Sequence, residues 1–141
     1  MSTSRQKEIT EVLYRLYQLG FNSTEAQQLR GIAMTFSRWD EHECNGEIER
    51  DEATGKPFRR TEYQSRGGSW KVNRYPVADR EAGAQRRLDA ILAAHPELAA
   101  YRQGDPRGCS VYIYRAADLT TGRFAGHNIE SVYNSVGVAV Y

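Results

Sequence analysis

Cysteine is scarce in this 141-residue chain: only Cys44 and Cys109 occur, 65 positions apart. That pair matches no zinc or dithiol spacing, so neither a metal-built nor a redox-active fold is expected. Lysine is almost as rare, three residues against sixteen arginines, and the net charge is only +1. A polybasic, histone-like protein is thereby excluded. No apolar run approaches the ~20 residues needed to cross a bilayer, in line with a mean hydropathy of -0.69. No membrane partner is expected. Residues 1–10 are polar and mixed in charge, so no secretory signal is expected there and a reducing cytoplasm is the expected compartment. G-x-S-x-G, H-E-x-x-H, G-x-G-x-x-G and Walker sequences are all missing, so no catalytic residue, cofactor or metal is assigned. Internal repeats and low-complexity linkers are missing too. At 16.0 kDa the length suits one ordinary domain, which buries roughly 68% of its unfolded surface without a metal or disulfide.

What is present reads as an α+β domain spanning 1–141. Ile9, Val12, Leu13 and Leu16 fall at i, i+3, i+4 and i+7, which predicts a helix from Ser4 to Leu19. Thr3 with Gln6 reads as a capping box and Gly20 as the stop. Asn22 with Glu25 opens a second helix running to about Glu43, with Ala26, Leu29, Ile32, Ala33, Phe36 and Trp39 on one face. An N-terminal helical hairpin over 1–46 follows. Turn chemistry at 51–55 separates short strands at 47–50 and 56–63, and Pro57 places the second at a sheet edge. A further strand, 70–77, completes a β segment over 47–78. Asp79 caps a third helix, 79–95, which His95-Pro96 ends. The remainder, 96–141, reads as β hairpins: 101–103 with 109–114 around the turn 104–108, then 129–133 and 136–141. The expected architecture packs the helical hairpin and third helix on one side of a small antiparallel sheet.

Charge is unevenly spread behind the near-zero total. Residues 1–49 carry net -3, residues 50–87 net +5 and residues 88–141 net -1. The acidic run holds Asp40, Glu41, Glu43, Glu47 and Glu49 without a base. It suits an arginine-rich partner, a divalent cation, or pairing with the neighbouring basic block; EF-hand spacing is absent. The basic block holds Lys56, Arg59, Arg60, Arg66, Lys71 and Arg74 against one acid, Glu62, interleaved with Phe58, Tyr63, Trp70 and Tyr75. Cations that follow phosphates beside aromatic faces that stack on bases are the composition of a single-strand binder. The same composition serves a protein-binding hot spot. The competing expectation buries Trp70 and Tyr75 as strand core beneath solvated arginines. Arg107, at the tip of the 104–108 turn, is a further contact candidate. His42 and Cys44, two apart, diverge on a helix. An enzyme built on Cys44, Cys109 or Asp105 needs a histidine brought by the fold, His95 or His127.

Four stretches carry a family resemblance: Trp39 with Glu43-Cys44-Asn45-Gly46; Ile48-Glu49-Arg50-Asp51 with Thr54-Gly55-Lys56-Pro57; Asp79-Arg80-Glu81-Ala82-Gly83-Ala84 with Arg87-Leu88; and Gln103-Gly104-Asp105-Pro106-Arg107-Gly108-Cys109. From about Ile32 to Tyr141 the chain resembles a group of small, uncharacterised bacteriophage and prophage proteins. No family site residues carry over. The resemblance implies a mobile-element setting in the cytoplasm of a bacterial host, and a non-enzymatic accessory protein that binds a host protein or nucleoprotein complex. By analogy with anti-CRISPR proteins, inhibition of a host-defence complex is the expected purpose. A nucleic-acid-binding module and a Cys- or Asp-based enzyme stand as alternatives.

Overall fold

Asn22 and Glu25 form the reciprocal cap expected of them: Glu25 N donates to Asn22 Oδ1 at 2.8 Å and Asn22 N donates to Glu25 Oε1 at 2.9 Å. The cap opens the helix around which the rest is packed. The computed structural model describes residues 4–105 and 108–141, and backbone alone at 104, 105 and 108–110. Helix α1 (Ser4–Leu19) buries Val12 and Leu16 from its apolar stripe; Thr3 lies outside the described residues. Helix α2 (Ser23–Cys44) buries Ala26, Leu29, Ile32, Ala33, Phe36 and Trp39, one face at helical spacing. Among the described residues no helix is long and apolar enough to cross a membrane.

Two separate three-stranded antiparallel sheets follow, where one was expected. The first contains β1 (Ile48–Arg50), β2 (Pro57–Gln64) and β3 (Trp70–Pro76), in that order. Helix α3 (Arg80–Ala93) comes next, its Ala82 N–H donating to the Asp79 carboxylate at 3.0 Å. The second sheet contains β4 (Leu98–Asp105), β5 (Gly108–Arg115) and β6 (Val138–Val140). Val111, Ile113, Val138 and Val140 from this sheet join α1, α2 and α3 in one buried cluster around Phe36. Each fully buried side chain of that size contributes about 1.5–3 kcal/mol. The first sheet contributes little to that cluster, because from Arg59 onward every residue of β2 is exposed.

Three further expectations change. Pro57 does not put its strand at an edge: β2 is central, flanked by β1 and β3. Proline is tolerated because it is the first residue of the strand, where its carbonyl still accepts from Val77 N at 3.2 Å. Residues 129–133 are not a strand. Asn128 caps a one-turn helix, α4 (Ile129–Val132), and a 3-10 turn, Tyr133–Ser135, follows. Ile129 and Val132, three apart, both pack inward, a spacing a strand cannot use. Trp70 and Tyr75, expected in the core on one reading, are instead 71% and 51% exposed.

Gly137 sets the last strand. Its φ is +75°, and a Cβ there would lie 2.0 Å from the Ile113 carbonyl oxygen. Left-handed backbone alone costs an ordinary residue ~1–2 kcal/mol, and the clash adds to it. Gly137→Ala is expected to destabilise by about 3 kcal/mol or more and lower Tm by roughly 8 °C. An unchanged melting curve would contradict the β5–β6 packing.

Candidate functional site

Strands β2 and β3 form an arm whose register sorts its residues into two faces. Directly opposed residues share a face, and the pairs are Arg59–Tyr75, Thr61–Asn73 and Tyr63–Lys71 on one side. The other side carries Phe58–Pro76, Arg60–Arg74, Glu62–Val72 and Gln64–Trp70. The first, or tyrosine face, holds two cations, two tyrosines and no carboxylate. On the second, or tryptophan face, Arg60 is already paired with Glu62 at 2.9 Å and Glu49 at 3.6 Å. Arg74 there stacks over Phe58, 5.2 Å from the ring centre. Arg66 sits in the connecting loop, closed by a Ser65 N–H to Ser69 carbonyl bond of 2.8 Å.

At the base of the arm the tyrosine face meets α2 across a cleft of about 440 Å³. Arg38 and His42 of α2, Arg59 of β2 and Arg80 of α3 line it, with Thr35, Trp39, Ile48, Val77 and Ala78. None of the three arginines belongs to an ion pair among the described residues. His42 pairs through Nδ1 with Glu47.

Behind the cleft the carboxylates are spent on other arginines. Arg50 donates to both Asp79 oxygens at 2.9 and 3.1 Å, to Glu81 at 3.3 Å, and lies 3.8 Å from Glu43. Its guanidinium also stacks 5.3 Å from the Trp39 ring centre. Arg102 donates to Asp40 at 2.5 Å and to Glu81 at 3.2 Å, and stacks 4.1 Å from the Phe36 ring centre. Asp40, Glu43 and Glu81 offer oxygens within 4.8 Å of one another. With two guanidiniums between them, these acids work as an ion network joining α2, β1, α3 and β4. The hydrogen bond from Arg50 holds the Asp79 carboxyl below its ordinary range, against a smaller opposing effect of burial.

The sequence candidates therefore divide. Arg59 and Lys71 share the tyrosine face, Arg60, Trp70 and Arg74 the opposite one, and Arg66 the loop between. Of the acidic run, Glu49 reaches the basic block through Arg60, while Asp40, Glu43 and Glu47 bind Arg102, Arg50 and His42. Glu41 is exposed. Arg107 and the side chains of Asp105 and Cys109 lie outside the described residues. Cys44 is exposed, and His95 is engaged by Glu25 at 2.8 Å and packed on Phe21. Arg38 and Arg80 were not anticipated from the sequence. Thr35, Arg38, Trp39 and His42 recur at i, i+3, i+4 and i+7, a second stripe beside the apolar one that signals Arg38 and His42.

No family model, curated protein or solved structure matches the chain.

Arg50→Ala is expected to cost about 1–2 kcal/mol at neutral pH, since the pair is a third exposed. Asp79, whose carboxyl is depressed in the folded chain, contributes stability above the ordinary carboxylate range and loses it as pH falls through its folded value. The gap in Tm between wild type and Arg50→Ala should therefore shrink below about pH 4. A gap independent of pH would contradict the role given to Asp79.

Proposed function

We propose that the chain is a non-enzymatic binding protein that holds single-stranded nucleic acid along the tyrosine face of its arm. The observation that carries this reading is the pairing of a cation with an exposed aromatic ring at two rungs of a carboxylate-free face. Those rungs are Arg59–Tyr75 and Tyr63–Lys71, with Tyr75 51% and Tyr63 43% exposed. Guanidinium and ammonium groups attract phosphates while tyrosine rings accept stacked bases of any sequence. The rungs are four residues apart along the strand, ~13 Å, or about four nucleotides at the ~3.4 Å per-strand rise of a stacked strand. Burying little of its own apolar surface, the arm stays available to a partner.

A protein partner is the second reading, and the tryptophan face favours it. Trp70 is 71% and Val72 42% exposed there, beside Arg74, a composition typical of binding hot spots. In the phage or prophage setting implied by the family resemblance, both faces serve one purpose. An accessory protein would grip the nucleic acid of a host defence complex with one and its protein with the other.

Fluorescence anisotropy with labelled single strands of about 15 nucleotides tests the lead reading. Binding should weaken with salt, at a log–log slope of about -0.7 per phosphate contacted. Tyr63→Ala and Tyr75→Ala should each lose ~1–3 kcal/mol of binding free energy, and Trp70→Ala none. Absence of binding at ~50 mM salt, or equal loss on Trp70→Ala, would overturn it.

A further inference from the structure

We infer that the cleft between α2 and the base of the arm is a binding site for the phosphomonoester of a nucleotide. The nucleotide is either the end of a strand or a free mononucleotide. In its strand-end form the inference rests on the nucleic-acid reading of the arm.

The charge balance is the first support. Arg38, Arg59 and Arg80 come from three different elements and line one cleft without a carboxylate among the lining residues. Arg50, Arg60 and Arg102 each hold acidic partners, and what distinguishes this cleft is that three arginines outside any ion pair among the described residues share one lining. Asp79, the neighbour of Arg80 in the chain, is committed to Arg50 and to the Ala82 N–H. Glu47 is committed to His42. Three like charges facing one volume repel unless an anion sits between them. A phosphomonoester carries about -1.5 to -2 charges at neutral pH, more than the single charge of a strand's internal diester, and offers oxygens in the geometry guanidinium forks match.

The second support is the shape and lining. Trp39, Ile48 and Val77 give the cleft an apolar wall beside its cations. Such a mixture suits a sugar and base attached to the phosphate better than a bare anion. Its volume of about 440 Å³ falls within the ~300–1,000 Å³ of small-molecule sites. Arg80 is the first residue of α3, so the positive end of that helix adds to the side-chain field.

Continuity is the third. Arg59 both lines the cleft and forms the lowest rung of the tyrosine face, opposite Tyr75. A strand laid along Lys71, Tyr63 and Tyr75 would reach Arg59 and deliver its terminal phosphate to Arg38 and Arg80.

The test measures the full chain against one single-stranded sequence bearing a 5′-phosphate, a 3′-phosphate or hydroxyl ends, and against adenosine 5′-monophosphate and inorganic phosphate. One phosphorylated end should bind about tenfold or more tighter than the hydroxyl-ended strand. Arg38→Gln and Arg80→Gln should erase that ratio, whereas Tyr63→Ala should weaken all strands alike and leave the ratio standing. Equal binding of all ends, with no binding of the mononucleotide, overturns the inference and leaves the arm reading intact. Mononucleotide binding that Arg38→Gln abolishes, with no strand binding at all, supports the free-nucleotide source and overturns the arm reading alone. Inorganic phosphate held as tightly as the mononucleotide overturns the nucleotide assignment.

Discussion

The guanidinium of Arg50, held by both oxygens of Asp79 and by Glu81 while it stacks against Trp39, fixes how the first sheet sits on the helices. Strand β1 has three residues, and among the described residues the two sheets share no ladder. This ion network joins the sheet to the helices, and buried Ile48 lines the cleft together with Trp39 of α2. Because Asp79 also caps α3, one carboxylate sets both the start of that helix and the angle of the arm. Arg102 extends the network to Asp40 and Glu81, so α2, α3, β1 and β4 are held at one junction. The carboxylates of this junction are thereby removed from the cleft beside it, whose arginines stay unpaired.

That arrangement explains why the arm can be polar on both faces and still be positioned. A strand that buries one face is held by apolar area; the arm gives that up beyond Phe58 and depends on its backbone ladder and its base. The exposed tyrosines, the tryptophan and the unpaired cations then remain solvent-facing, at a cost in hydrophobic stabilisation that the helical core covers. Contiguous exposed apolar patches rimmed by polar residues mark interaction surfaces, whereas single exposed side chains do not.

The helices were legible because their signals are local. Apolar residues at helical spacing with Asn22, Glu25 and Asp79 at the caps specify them within a few turns. Although the turn expected over 104–108 is shorter, because Gly104 and Asp105 pair with Cys109 and Gly108, β4–β5 was legible as a hairpin, and β2 and β3 were legible as strands. The division into two sheets was not, since alternating arginine and aromatic residues look alike on a half-buried strand and on a free arm. Register alone separates Arg59 and Tyr75 from Arg60 and Arg74. Contacts that decide the charge balance are distant in sequence: Arg50 meets Asp79 29 residues on, and Arg102 meets Asp40 62 residues back. Segment totals of -3 and +5 suggested two opposed blocks. Among the described residues the ion pairs Glu49–Arg60 and Glu43–Arg50 join them, while Asp40 and Glu47 serve Arg102 and His42.

The central claim is that the arm is a working surface with one nucleic-acid face. Proton NMR of the aromatic side chains during titration with a single-stranded oligonucleotide tests it most directly. Stacking should shift the ring resonances of Tyr63 and Tyr75 upfield while the indole of Trp70 stays in place. Movement of Trp70 without the tyrosines, or no movement of any of the three, would contradict the account.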